Sequence, residues 1–158
     1  KWEIVGQVMG WFHGRFDYSI DAKGRVNFPA KFRKALSPQA NETFIICRGP
    51  NKCLRAYPQD LWNEYETELN SRPETPETLR HKRLLYNTLS DTTFDAQGRI
   101  TLTSAQMAIG EITKEVSIIG QANYVEIWNT EHYEKYLNQA DDFDEVFFQS
   151  VETGLPKR

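Results

Sequence analysis

The five residues Asp21-Ala22-Lys23-Gly24-Arg25 return later in the chain as Asp95-Ala96-Gln97-Gly98-Arg99. The flanks repeat with them. An apolar residue precedes each copy, Ile20 and Phe94, and an alternating run follows each arginine, Val26-Asn27-Phe28 and Ile100-Thr101-Leu102. Further on, Phe44-Ile45-Ile46-Cys47-Arg48-Gly49 answers Val116-Ser117-Ile118-Ile119-Gly120, and Leu54-Arg55-Ala56-Tyr57 answers Val125-Glu126-Ile127-Trp128. Trp62 and Tyr65 then correspond to Tyr133 and Tyr136, and the first half differs mainly by a longer loop near Ser37–Thr43. We read an internal duplication of one small β-rich unit. A unit this short buries too little apolar surface to stand alone, so the halves are expected to share one core.

Each half spells the same order of elements. Phe16 to Ile20 alternates as a strand does, and Val26 to Phe28 returns as the second strand. Between them Asp21–Gly24 reads as a tight turn, with Gly24 free to take positive φ and Asp21 able to accept backbone N–H bonds. Pro29 suits the first turn of a short helix carrying Phe32 and Leu36. A hairpin follows, Phe44–Arg48 with Cys53–Tyr57, and Pro58 opens a helix with Leu61, Trp62, Tyr65 and Leu69 on one face. Arg72–Pro76 is a linker, and Glu77 to Leu89 reads as helical. In the second half Arg99–Leu102 is a strand and Ser104 is placed as the cap of a short helix. Glu115–Ile119 and Tyr124–Trp128 form a hairpin, and Thr130 caps a helix bearing Tyr133, Tyr136, Leu137 and Ala140. The tail sets Phe143, Val146, Phe147 and Phe148 among acids.

The expected class is therefore α+β. Two tandem β units span 12–60 and 89–132, joined by helices over 61–88. An extension, 1–11, precedes them, and a helix with an acidic tail, 133–158, follows.

Composition narrows the function classes. The chain has 158 residues, with seven Tyr, nine Phe and four Trp to fill a core. No apolar run approaches the ~20 residues of a membrane span, and Lys1–Gly10 does not read as a signal peptide. Cys47 and Cys53 flank a turn and read as reduced thiols. No metal spacing, phosphate loop or nucleophile elbow is present, so neither a cofactor nor a small-molecule substrate is expected. A net charge of −3 argues weakly against a polyanionic partner. Its distribution argues the other way. Arg15, Lys23, Arg25, Lys31, Arg33 and Lys34 crowd the first third, whereas Asp60–Glu77 and Asp141–Glu145 are acidic. By charge alone the basic segment is either a solvated surface or an anion-binding face. The turn residues Asp21, Gly24, Asp95, Gly98 and Arg99 are read first as structural, each Asp pairing with the arginine four positions on.

At these residues the sequence resembles the MraZ family, whose members carry two SpoVT/AbrB-type units in tandem. The match lies in Phe12-His13-Gly14 through Val26, Phe28-Pro29-Ala30-Lys31-Phe32-Arg33, Asp95–Arg99, and the hairpin from Thr113 to Gly120 with Val125-Glu126-Ile127-Trp128. The resemblance implies swapped β-hairpins sharing a core. It also implies a bacterial transcriptional regulator, cytoplasmic and nucleoid-associated, that represses its own division and cell-wall operon. Such proteins form ring homo-oligomers, octamers or dodecamers, on tandem repeats of double-stranded promoter DNA. The family's Asp-x-x-x-Arg contact element falls on Asp21, Lys23 and Arg25, and less directly on Arg99. Arg15, Lys31 and Arg33 join the DNA-binding set by charge and position. Thr103 stands where the first half has Pro29, and Met107 stands opposite Arg33, so the second half's helix lacks those features. The alternative is a ring-forming protein-interaction scaffold without specific DNA recognition. An enzyme would need a pocket of convergent polar groups, of which the sequence gives no sign.

Overall fold

The computed structural model describes residues 11–139 and 142–154. Residues 1–10 of the expected extension, and 140, 141 and 155–158 of the tail, lie outside the described residues. In chain order the elements are β1 (Arg15–Ser19), β2 (Arg25–Asn27), α1 (Ala30–Lys34), a 3-10 turn (Pro38–Ala40), β3 (Phe44–Arg48) and β4 (Leu54–Pro58). The helices α2 (Gln59–Ser71) and α3 (Pro76–Asn87) connect the halves. The second half contributes β5 (Ser90–Thr92), β6 (Arg99–Thr101), α4 (Ser104–Ile109), β7 (Glu115–Gly120), β8 (Val125–Asn129), α5 (Thr130–Gln139) and α6 (Phe143–Gly154).

The halves exchange strands. A six-stranded sheet runs β1-β7-β8-β4-β3-β5, so each half's first strand pairs with the other half's hairpin. Every neighbouring pair is antiparallel. The short strands β2 and β6 form a separate two-stranded ribbon. The registers disclose a local two-fold relation. In the ribbon Val26 pairs with Ile100, and in the sheet Arg55 pairs with Glu126, each residue meeting its own repeat counterpart.

One face of this assembly holds a core drawn from both halves, including Phe12, Phe28, Phe32, Phe44, Ile100, Leu102, Ile118 and Ile127. Phe32 brings the short helix α1 into it, edge-on to Phe12 at 5.3 Å and to Phe16 at 5.4 Å. Each fully buried side chain of this kind contributes ~1.5–3 kcal/mol. The opposite face of β3 and β4 carries a second cluster, where Ile45 and Cys47 meet Trp62 and Leu69 of α2 and Leu85 of α3.

Several details differ from the sequence reading. The third helix spans Pro76–Asn87 rather than Glu77–Leu89, because Thr75 and Thr78 form a reciprocal capping box ahead of it. Thr103 rather than Ser104 caps α4, bonding reciprocally with Gln106. Asn129 rather than Thr130 caps α5, its Oδ1 accepting from the His132 N–H at 3.0 Å. Strand β5 was not foreseen, since Ser90-Asp91-Thr92 lacks any apolar alternation. It exists through pairing with Phe44–Ile46 of β3. The side chain of Gln106, fully buried, donates at 2.8 Å to both the Thr88 carbonyl and the Ser90 hydroxyl, fixing α4 against this junction.

Candidate nucleic-acid interface

The two Asp-x-x-Gly-Arg turns are built identically from within. In the first, Asp21 Oδ1 accepts from the backbone N–H of Lys23 at 3.0 Å and of Arg25 at 2.9 Å, and Oδ2 accepts from Arg25 Nε at 2.8 Å. In the second, Asp95 Oδ1 accepts from Gln97 and Arg99, each at 2.9 Å, and Oδ2 accepts from Arg99 Nε at 2.9 Å. Gly24 and Gly98 close the turns at φ 82° and 77°, donating to the Asp21 and Asp95 carbonyls, each at 3.0 Å. The aspartate thus does two jobs. It ties down the backbone and holds the arginine upright at the turn, which explains why the sequence needs Asp, Gly and Arg at this spacing. These bonds, chiefly those from the backbone N–H of Arg25 and Arg99, keep both carboxyls below the usual range.

The ribbon brings the turns together. Asn27 pairs with Arg99 and Arg25 with Thr101, and Arg99 Nη1 comes within 3.9 Å of Asp21 Oδ2. Two arginines and the exposed tip residue Lys23 therefore lie in one cluster, where Arg25 keeps 38% of its side chain accessible and Arg99 25%. Lys23 makes no ion pair among the described residues. The first turn is also packed from behind. The Leu102 N–H donates to the Gly24 carbonyl at 2.8 Å, and a Cβ at Gly24 would sit 2.2 Å from the Leu102 carbonyl oxygen. No such contact backs Gly98.

The remaining basic residues divide. Lys31 stands over the Phe16 ring at 5.2 Å, and Arg33 over Phe94, the residue before the second turn, at 5.0 Å. Arg33 also forms a two-point pair with Glu42, Nη2 to Oε1 at 2.8 Å. Arg15 lies elsewhere. It grips Asp17 at 3.0 Å, pairs with Glu134 of α5 and covers the Tyr133 ring. These carboxylates raise its pKa further and spend its donors inside the fold. The structure therefore unites Lys23 and Arg25 with Arg99, sets Lys31 and Arg33 on the helix between strand β1 and the second turn, and separates Arg15 onto the α5 side of β1.

Among the described residues no cluster of three His, Cys, Asp or Glu is placed to hold a metal, and no helix is long and apolar enough to cross a membrane. Cys47 and Cys53 are free and buried, and burial pushes each thiol up to about 12.

A pair of interlocked β units presenting matched Asp-x-x-Gly-Arg turns defines a class of tandem-repeat protein, and the comparisons place it. Residues 11–83 and 88–153 match the family described as "MraZ protein, putative antitoxin-like". The chain is 35% identical over 146 residues to the Transcriptional regulator MraZ of Halothermothrix orenii, covering 91% of this chain and 99% of that protein. The chain belongs to the MraZ family.

Proposed function

We propose that this protein is a sequence-specific DNA-binding regulator of transcription, acting in the cytoplasm at the nucleoid. It binds tandem repeats upstream of its own division and cell-wall operon as a ring homo-oligomer, an octamer or dodecamer, and represses by occupying the promoter. The observation that carries this reading is the first turn, where Lys23 and Arg25 project from a backbone locked by Asp21 and buttressed by Leu102. An arginine so held loses little freedom on binding and can grip a guanine edge or a phosphate bidentately. The name of the H. orenii relative supports the same reading.

One subunit offers few free cations, so affinity is built by repetition. A ring sets identical turns at regular intervals, and engagement of several repeats on one duplex multiplies weak contacts through effective concentration. Each phosphate neutralised steepens the dependence of log affinity on log salt by ~0.9. The exposed aromatic edge of α6, with Phe143 77% and Phe148 60% accessible, supports self-association and is also what a scaffold would use.

Fluorescence anisotropy on the duplex upstream of the gene, against a shuffled duplex, tests the function. Preference for the native repeats, growing with repeat number, is expected. Equal weak binding to both duplexes by a protein that still sediments as a ring would favour the scaffold instead.

A further inference from the structure

On the outer face of the sheet, between the β3–β4 hairpin and α3, lies an open cavity of about 320 Å3. Arg48, Arg55, Tyr57, Tyr65, His81 and Leu84 line it, and no Asp or Glu does. The size falls at the lower end of ordinary ligand pockets, roughly 300–1,000 Å3. None of these residues belongs to the turn cluster.

Arg55 is the unusual member. Its guanidinium carbon stacks 4.5 Å from the Tyr124 ring centroid, and Nη1 donates to the Tyr57 hydroxyl at 3.1 Å. Its Nε–H is buried without an acceptor, and Nη2 has no partner either among the described residues. That Nε–Nη2 edge is the one with which Arg15, Arg33 and Arg72 grip Asp17, Glu42 and Glu68 in this same chain. A buried N–H left unpaired is costly, and a charged one more so. The neighbours in register do not compensate. Cys47 is a protonated thiol, and the Glu126 carboxylate accepts from Trp128 Nε1 at 3.0 Å and makes no ion pair with Arg55.

The duplication supplies an internal comparison. The counterparts of Arg55 and Tyr57 are Glu126 and Trp128. There the larger indole is 3% exposed and packed on Tyr133 and Tyr136 at 5.2 Å. The second half's own opening, beside Trp128 and Tyr136, sets Lys52 and His132 against the carboxylate of Glu111, whereas the first-half cavity has no such acid. Tyr57 extends it into a stack with Tyr65 at 5.7 Å and Tyr124 at 5.3 Å.

We propose that this cavity binds a small organic anion, a phosphate or carboxylate carried on an aromatic ring. The anionic group takes the Arg55 guanidinium where it lines the cavity, with Arg48 and His81 beside it, and the ring lies against Tyr65 and Leu84. The ligand is an effector in kind.

Titration calorimetry on the whole chain with phenyl phosphate and benzoate, against inorganic phosphate and phenol, tests this. Trp62, 5.9 Å from Tyr57, provides a fluorescence readout in parallel. One saturable site per chain is expected for at least one ring-bearing anion, about tenfold or more tighter than for inorganic phosphate or phenol, which lack one half of the ligand. Which of the two anions binds more tightly separates phosphate from carboxylate chemistry. Arg55→Lys keeps the charge but removes the fork, and is expected to weaken binding at least about tenfold. Leu84→Trp, at a half-exposed position, fills the cavity while leaving Arg55 in place, and is expected to abolish binding even if Arg55→Lys lowers the melting temperature. Absence of saturable binding, or binding that survives either variant, overturns the proposal.

Discussion

The turns at 21–25 and 95–99 are the same object in two settings. Their internal hydrogen bonds agree within 0.1 Å, Asp21 Oδ2 to Arg25 Nε at 2.8 Å against Asp95 Oδ2 to Arg99 Nε at 2.9 Å. What surrounds them differs. Gly24 is buried beneath the Leu102 carbonyl and its turn is bonded to the other half, whereas Gly98 faces open space. Local sequence therefore dictates the shape of a turn, and its partner half decides whether that shape is rigidly mounted. The difference in tip residue, Lys23 against Gln97, adds charge to the mounted copy.

The largest effect that can break this comparison is on stability. Gly24→Ala sets a Cβ against backbone and strains a positive φ, and is expected to cost about 3 kcal/mol or more in urea unfolding. Gly98→Ala meets only the φ strain, about 1–2 kcal/mol. Equal costs would mean that the packing asymmetry has no energetic consequence. Next comes recognition. Arg25→Ala is expected to weaken operator binding by about 1–3 kcal/mol and to reduce the salt slope by about 1.

Acid titration probes what the turns share. Both aspartates have folded pKa values depressed below the ordinary 3.8, so their contribution is present above that value and is lost as pH falls through the lower, folded ones. Unfolding free energy followed from pH 6 to 2 is expected to drop in this acid range. The drop is expected to be shallower in Asp21→Asn/Asp95→Asn, though not abolished, because Asp17, Glu68 and Glu111 are also held low. The smallest effect is expected from Gln97→Lys, which copies the first tip onto the second turn. A change in stability under ~0.5 kcal/mol is expected for this surface position, with operator affinity hardly altered. A large gain in affinity would show that the second turn also faces DNA.

The sequence made the turns legible because Asp, Gly and Arg each carry a local duty that spacing reveals. The hairpins and α2 were legible through alternation and helical period. Partner choice was not local: nothing in Arg15–Ser19 announces that it pairs with β7, and the strand exchange entered the reading only through family resemblance. Ser90–Thr92 was invisible as a strand because its neighbours, not its side chains, make it one. By charge alone the basic first third reads as either a solvated surface or one anion-binding face. In the fold Glu134, more than a hundred residues on in sequence, draws Arg15 away from it. Arg55 passed as an ordinary hairpin residue, since Tyr124 and His81 come beside it only when the halves interlock.

The most direct test of the claim that the first turn reads DNA sets the two copies side by side. Operator anisotropy across a salt series is measured for wild type, Lys23→Ala/Arg25→Ala and Gln97→Ala/Arg99→Ala, each checked for a native melting transition. The account predicts that the first double variant loses discrimination between native and shuffled repeats and flattens the salt slope by about 2, while the second, which removes one charge from the same cluster, keeps discrimination and flattens the slope by at most about 1. Equal losses in the two variants, or a greater loss from the second, would contradict it.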